Sequence, residues 1–117
     1  MSRVIKFRAW NDIDNSYIDW MTLCGMPRLI TNTARGREKH YYLEQFTGLL
    51  DKNGVEIYEG DIVYCVTNDP FGTPEQEATF VVEFDYGSFL AMTASEEQFV
   101  IGNIHQNPEL IKQRVMK

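Results

Sequence analysis

Hydrophobic and polar residues alternate along most of the chain, and this alternation predicts short β-strands separated by turns. Near the N-terminus, Ile5, Phe7 and Ala9 fall on one face of a predicted strand, because successive side chains of a strand point to opposite faces. A polar turn over residues 11–15 and a returning strand over residues 16–21 complete the pattern. The first part of the chain is therefore predicted to be a β-hairpin.

The middle of the chain carries the strongest local signals. The dipeptide Asn53-Gly54 predicts a hairpin turn, because tight reversals need positive φ and these residue types tolerate it best. A second reversal is predicted at Gly60-Asp61, where glycine allows a sharp bend. The following run, residues 62–67, is β-branched and aromatic without a charge. Such a run is typical of a strand covered on both faces.

The remaining segments complete a mainly β prediction. Residues 22–40 contain Gly, Pro and short polar runs, which favour a loop. A second hairpin is predicted over residues 78–92 and a last strand over residues 99–104. Asn107-Pro108 has the layout of a helix start, with an N-cap followed by proline. We therefore expect a small, SH3-like, partly open barrel, preceded by the N-terminal hairpin and followed by a short C-terminal helical turn.

Length and charge refine this picture. The 117 residues are enough for one domain, and 44% hydrophobic residues can form a core, so general disorder is excluded. We expect a single domain over residues 1–117, with a hairpin and basic loop in residues 1–44 and a barrel-like core in residues 45–117. The net charge of −6 is unevenly divided, at +2 for residues 1–44 and −8 for residues 45–117. Such asymmetry suggests two different surfaces.

The first surface is basic. Four cations lie close together in the predicted loop, at Arg28, Arg35, Arg37 and Lys39. Lysine and arginine side chains neutralise phosphates without regard to base sequence, so these four residues are candidate nucleic-acid contacts. The alternative is a solvated loop, which the negative net charge of the chain favours.

The second surface is acidic and lies in the predicted core region. Its candidate members are Glu56, Glu59, Asp61, Glu83 and Asp85. A carboxylate-rich face steers basic partners, so it is a candidate protein-binding face. One alternative is that this face mimics DNA, and the simpler one is that these are solvated turn and edge residues.

Motifs for catalysis or cofactor binding are not found in the sequence. The two cysteines fit no metal-ligand spacing, the two histidines have no partner at a defensible spacing, and phosphate-binding loops and hydrolase motifs are missing. We expect no enzymatic activity, no cofactor and no metal. No apolar run approaches the roughly 20 residues of a membrane helix, and no signal peptide is visible. We therefore expect a cytoplasmic protein without membrane association.

A longer pattern resembles a known family. Residues 46–63 read FTGLLDKNGVEIYEGDIV, which is similar to the signature of the YopX family of phage and prophage proteins. Flanking blocks agree in order, namely Lys6 to Trp10, Val82-Glu83-Phe84 with Gly87 and Phe89, Val100 to Ile104, and Asn107 to Leu110. The resemblance implies a mostly β structure, a phage or prophage origin and no established enzymatic motif.

Together these patterns lead to one functional expectation and one alternative. We expect a non-enzymatic phage or prophage accessory protein in the bacterial host cell. It would act through contacts with a phage or host protein, including self-association as a homo-oligomer, since open strand edges offer main-chain groups for pairing. The alternative is a nucleic-acid-binding module that uses the basic loop over residues 28–40.

Overall fold

The computed structural model describes residues 4–67, 76–85, 88–89 and 97–111. The chain divides into two compact units, Met1–Phe46 (unit 1) and Thr47–Lys117 (unit 2). The elements in chain order are β1 (Phe7–Asn11), β2 (Ser16–Ile18), α1 (Trp20–Cys24), α2 (Pro27–Ala34), β3 (Tyr41–Leu50), β4 (Glu56–Tyr58), β5 (Asp61–Thr67), β6 (Gln76–Val81), β7 (Phe84–Asp85), β8 (Ser88–Phe89) and β9 (Glu97–Asn103).

The predicted N-terminal hairpin is present, although its second strand ends at Ile18 because α1 begins at Trp20. It belongs to a four-stranded sheet in the order β2-β1-β3-β4. Strand β1 pairs antiparallel with β2 and with β3, so that Ala9 lies opposite both Ile18 and Leu43. These three apolar residues share one face of the sheet because they occupy directly paired positions. On the same face, the Phe7 and Trp20 rings lie 6.0 Å apart, which connects β1 to the start of α1.

The prediction of a loop over residues 22–40 is wrong for most of the segment, which contains α1 and α2. Helix α1 begins after Asp19, whose carboxylate accepts a hydrogen bond from the backbone N–H of Thr22 at 2.9 Å, as N-cap residues do. Helix α2 begins with Pro27 at its first turn, where proline loses no hydrogen bond. Burial decides the conformation, because Leu23 is completely buried while the polar residues around it favour a loop.

The predicted hairpin between β3 and β4 is present, with a three-residue turn. The Gly54 N–H donates to the Asp51 carbonyl at 3.0 Å, and the Asp51 N–H donates to the Val55 carbonyl at 2.8 Å. Gly54 has φ +83°, whereas Asn53 does not have positive φ. This is the pattern of a type I turn followed by a left-handed glycine, rather than a turn with positive φ at both Asn53 and Gly54.

Unit 2 is organised around β5, the central strand of a sheet in the order β6-β5-β9. Both neighbours run antiparallel to it. Ile62 and Val63 are completely buried and Cys65 is 5% exposed, which confirms the predicted strand covered on both faces. Val63 forms a core with Ile57 and Val82.

The bend before β5 occurs at Gly60, as predicted, with φ +88°. The Gly60 N–H donates to the Val82 carbonyl at 2.9 Å, and the Gly60 carbonyl accepts from the Ile104 N–H at 3.0 Å. The Asp61 carboxylate accepts from the Tyr58 N–H at 2.8 Å. The bend therefore joins β4, β5 and the ends of the two outer strands.

A second hairpin was predicted over residues 78–92. Strand β6 ends at Val81, and Val82 is buried before the short β7–β8 ribbon, in which Phe84 pairs with Phe89. The predicted return over residues 90–92 lies outside the described residues.

The helical turn at residues 109–111 agrees with the prediction, but Asn107 does not cap it with its side chain. Its Oδ1 accepts from the Asn103 N–H at 3.2 Å.

The predicted fold class is confirmed, since the described chain is mainly β with two short helices and a C-terminal helical turn. The finer expectation of SH3-like topology stays a prediction. The predicted division at residues 44 and 45 lies two residues from the boundary between the two units. Because residues 45 and 46 are uncharged, unit 1 carries a net charge of +2 and unit 2 carries −8.

Candidate functional site

The four predicted nucleic-acid contacts all lie in unit 1, in two places. Arg28 is in the first turn of α2, while Arg35 is its C-cap and Arg37 and Lys39 follow it. The Arg28 site is therefore helical rather than part of a loop. All four side chains are exposed, and none forms an ion pair or a side-chain hydrogen bond with the part of the chain that the structure describes. They are available to an external anion.

The segment that carries three of these cations has a fixed backbone. The N–H groups of Arg35 and Gly36 donate to the carbonyls of Thr31 and Thr33, both at 3.1 Å, and the Arg37 N–H donates to the Asn32 carbonyl at 2.8 Å. These bonds satisfy carbonyl groups that a helix C-terminus otherwise leaves without partners. The cations are consequently presented from an ordered turn.

A groove of about 510 Å³ lies beside this turn. Its strand side is formed by Phe7 of β1 and by Tyr41, Tyr42 and Leu43 of β3. Its other side comes from the end of α2 and the turn after it, through Thr33, Ala34, Gly36 and Glu38. The volume is in the range of about 300–1,000 Å³ found for small-molecule sites. All of the lining residues belong to unit 1.

One polar atom in the groove wall lacks a partner. The Thr33 hydroxyl oxygen is buried and makes no hydrogen bond within the described residues. Buried hydroxyl groups in native proteins are almost always bonded, so each exception calls for an explanation. Glu38, on the same side of the groove, is half-buried, and its side chain forms no hydrogen bond or ion pair with the described residues.

A polar cluster around His40, which sequence spacing did not reveal, lies where β1 ends and β3 begins. His40 Nδ1 is 2.8 Å from Asp12 Oδ1, and the Tyr42 hydroxyl donates to Asp12 Oδ2 at 3.3 Å. The Asp12 N–H also donates to the His40 carbonyl at 3.0 Å. Asp12 and His40 are 28 positions apart, and only the antiparallel pairing of β1 with β3 brings them together. The cluster fixes the residue that follows Lys39.

A buried charge pair crosses the same two strands. Arg8 Nε donates to Glu44 Oε1 at 2.9 Å, and the Tyr17 hydroxyl donates to the same oxygen at 3.1 Å. The Arg8 guanidinium carbon lies 4.1 Å from the centre of the Tyr17 ring. Glu44 is only 5% exposed. Since its charge is compensated inside unit 1, this pair is structural and is not available to a ligand.

The predicted acidic face does not form as a set of exposed carboxylates. Asp61 is 2% exposed, so its placement on that face is wrong, because its carboxylate is used to hold the bend before β5. Glu56 and Glu59 are half-buried, and the Glu56 carboxylate accepts from the Tyr58 hydroxyl at 3.1 Å. Glu83 is exposed. The side chain of Asp85 lies outside the described residues.

Asp51, which precedes the turn between β3 and β4, is 7% exposed. Its Oδ1 accepts from the N–H groups of Asn53 and Val55 at 2.8 and 2.9 Å, and its Oδ2 accepts from the Val100 N–H at 3.0 Å. Burial raises the pKa of this carboxyl, but the three N–H donors of Val100, Val55 and Asn53 outweigh it, so the pKa is lowered. Asp51 therefore connects the β3–β4 turn to β9 as a charged group.

Three further observations concern other kinds of site. In the described ranges, no three or more His, Cys, Asp and Glu side chains are arranged to hold a metal ion. Cys24 is exposed and Cys65 is buried, and neither forms a disulfide within the described residues. No helix among the described residues has the length and apolar character that crossing a bilayer requires.

The fold and these features define a small mainly β protein with a positively charged N-terminal unit and a negatively charged C-terminal unit. The chain belongs to the YopX protein family, whose model matches residues 6–112. It is also similar to the crystal structure of protein EF1440 from Enterococcus faecalis, at a TM-score of 0.63 and 25% identity over 94% of this chain and 99% of that chain. No curated protein matches the chain significantly.

Proposed function

We propose that this protein is a non-enzymatic accessory protein of phage or prophage origin that acts through protein contacts, including contacts with a second copy of itself. Membership of the YopX family supports the origin. The observation that carries the proposal of self-association is the edge strand β6. Its partner would be another copy of this chain or a phage or host protein in the bacterial cytoplasm.

The two edges of the β6-β5-β9 sheet differ. At the β9 edge, the Lys52 N–H donates to the Gln98 carbonyl at 2.9 Å, and the Val100 N–H donates to the Asp51 carboxylate. The β3–β4 turn thus covers this edge. Strand β6 pairs with β5 alone in the part of the chain that the structure describes. Because unpaired strand edges are templates for further pairing, β6 is the preferred site for strand addition.

Alternation along β6 identifies the outward-facing groups. The Val82 N–H donates inward to the Asp61 carbonyl at 2.9 Å. In an antiparallel ladder the inward-bonded residues alternate with residues whose N–H and C=O groups point away. Val81 and Thr79 therefore direct their backbone groups outward, where an added strand would bond to them.

The test is the oligomeric mass of the full chain and of Thr79→Pro. Proline at an outward position removes a donor for an added strand but no bond to β5. We expect light scattering after size-exclusion chromatography to give an oligomer for the parent and a smaller mass for Thr79→Pro. Thr79→Val, which retains the N–H, is the matched control and keeps the parent mass. A parent that remains monomeric at all concentrations would refute self-association.

A second candidate function is nucleic-acid binding by the cations of unit 1. Four exposed, uncompensated cations favour it, since most nucleic-acid affinity comes from neutralising phosphates.

A mobility-shift assay with single- and double-stranded DNA tests this second function. We expect binding at low salt that weakens as salt rises, and loss of binding when Arg28, Arg35, Arg37 and Lys39 are all changed to Gln. A matched variant with the three arginines changed to Lys keeps the charge and should keep most of the binding. Equal binding by the Gln variant and the parent would contradict the proposal.

A further inference from the structure

We propose that the groove in unit 1 holds an unpaired base of single-stranded nucleic acid, with Arg35, Arg37 and Lys39 binding phosphates at its rim. This inference rests on the second candidate function and adds to it a preference for single strands and for particular bases. Three features support this inference, namely the aromatic groove walls, the lining residue Glu38 and the order of residues along the rim.

The walls suit a flat aromatic ring. Phe7 and Tyr41 line the groove and are half-buried, so part of each ring faces the open space. Stacking of a base on an aromatic side chain contributes affinity with little regard to base identity. The groove is also concave, and bases within a duplex are already stacked and paired. It therefore selects a base that has left the duplex or was never in one.

Glu38 disfavours a phosphate in the interior and favours a base. Glu38 is a lining residue, and a carboxylate there repels phosphate oxygens, whereas it accepts hydrogen bonds from an exocyclic amino group, as acidic side chains do from cytosine N4. Cytosine, adenine and guanine carry an amino group, but thymine and uracil do not.

The rim residues alternate with the lining residues. Gly36 and Glu38 line the groove, while Arg35, Arg37 and Lys39 beside them are exposed. Consecutive Cα atoms are about 3.8 Å apart, so each cation starts within one residue of the groove wall. A base in the groove would therefore place its flanking phosphates within reach of these side chains.

Arg28 is a natural control. It lies seven residues before Arg35 on α2, about 10 Å along the helix axis, and it does not line or border the groove. Arg28 therefore contributes at most general attraction, and changing it should not alter the preference of the groove for one base over another.

The experiment compares three fluorescent single strands of about 12 nucleotides, a length that spans typical single-strand sites: oligodeoxycytidine, oligodeoxythymidine and an abasic strand. Fluorescence anisotropy with the full chain at neutral pH should rank them in that order. We expect cytidine to bind at least about fivefold more tightly than thymidine, the lower end of discrimination by base contacts. The salt dependence should have a slope of about −2, or about −0.7 for each of three cations.

Two variants separate the groove from the rim. Glu38→Gln should bring the cytidine-to-thymidine ratio close to one while thymidine binding improves, because a repulsive charge is removed. Arg37→Gln should weaken the binding of all three strands, the abasic one included. The control Arg28→Gln should leave the cytidine-to-thymidine ratio unchanged. The Glu38 side chain forms no hydrogen bond or ion pair with the described residues, so the first variant is expected to fold.

The outcomes distinguish the two levels of the proposal. If none of the strands binds at low salt, nucleic-acid binding itself is refuted. If all three bind equally and Arg37→Gln weakens them while Glu38→Gln changes no ratio, the cations bind phosphate and the base-binding groove is refuted. A cytidine preference that Glu38→Gln abolishes and Arg28→Gln leaves intact would support the inference.

Discussion

The change Asp51→Asn tests the role of the buried carboxylate that joins the β3–β4 turn to β9. Asp51 accepts three backbone N–H groups, from Asn53, Val55 and Val100, at 2.8–3.0 Å. In the variant, the amide oxygen can keep the first two bonds, but the amide NH2 group then faces the Val100 N–H, and two donors cannot bond. The variant thus loses one bond and weakens two.

The magnitude follows from typical values for charged hydrogen bonds. Loss of a bond to a charged group costs about 1.5–3 kcal/mol, and the two retained bonds become roughly half as strong when the acceptor is neutral. We therefore expect the free energy of unfolding to fall by about 2–4 kcal/mol. With a urea slope of about 2 kcal/mol per M, the middle of the range for small proteins, the unfolding midpoint should decrease by roughly 1–2 M.

The assay is urea unfolding of both proteins as a function of pH. The pKa of Asp51 is lowered in the folded state, so its contribution is complete above the unfolded pKa and is lost as the pH falls through the lower folded value. The difference between parent and variant should therefore be largest at neutral pH and shrink below about pH 4. Glu83→Gln, at an exposed position, makes the same charge change and should have little effect.

Two results would refute this account of Asp51. An Asp51→Asn midpoint equal to that of the parent at neutral pH would mean that the three bonds contribute nothing measurable. A large difference that stays constant down to strongly acidic pH would mean that the charge of the carboxylate is not what stabilises the turn.

Two other substitutions test packing, by thermal or urea unfolding. Gly102→Ala should destabilise the protein by about 1–3 kcal/mol, because an added Cβ would lie 2.6 Å from Asn107 Oδ1. The double variant Gly102→Ala, Asn107→Ala should lose less stability than the sum of the two single changes. Additive losses would contradict the clash. Leu23→Ala should cost about 2–5 kcal/mol because Leu23 is fully buried. Met21→Ala, at an 82% exposed position in the same helix, is its control, and equal effects of the two would contradict the role of Leu23.

The sequence by itself determined the strands and the turns that need special backbone conformations. Positive φ at Gly54 and Gly60 is a local requirement that glycine meets, so both reversals could be located from residue types alone. The uninterrupted apolar run of β5 likewise records burial on both faces of a strand, whereas β1 is buried at the consecutive residues Ala9, Trp10 and Asn11, which its alternating pattern did not indicate. The family could be recognised for the same reason, since its signature covers these turns.

The helices α1 and α2 could be found only with the tertiary structure. Their residues favour a loop, and α1 has only five residues, too few for a stable isolated helix. The burial of Leu23 stabilises it instead. Two local signals could have indicated α2, namely Pro27, which suits a first helical turn as well as a loop, and the placement of its apolar residues on one side of the helix.

The polar residues show most clearly what could not be predicted from the sequence. Whether an aspartate is solvated or buried depends on what packs over it, and Asp51 is held by Val100, 49 positions away. The Asp12–His40 contact and the groove beside Arg37 likewise depend on the pairing of β1 with β3. A linear pattern specifies which residues can hydrogen-bond, but partners so distant in sequence are chosen only when the strands come together and exclude water.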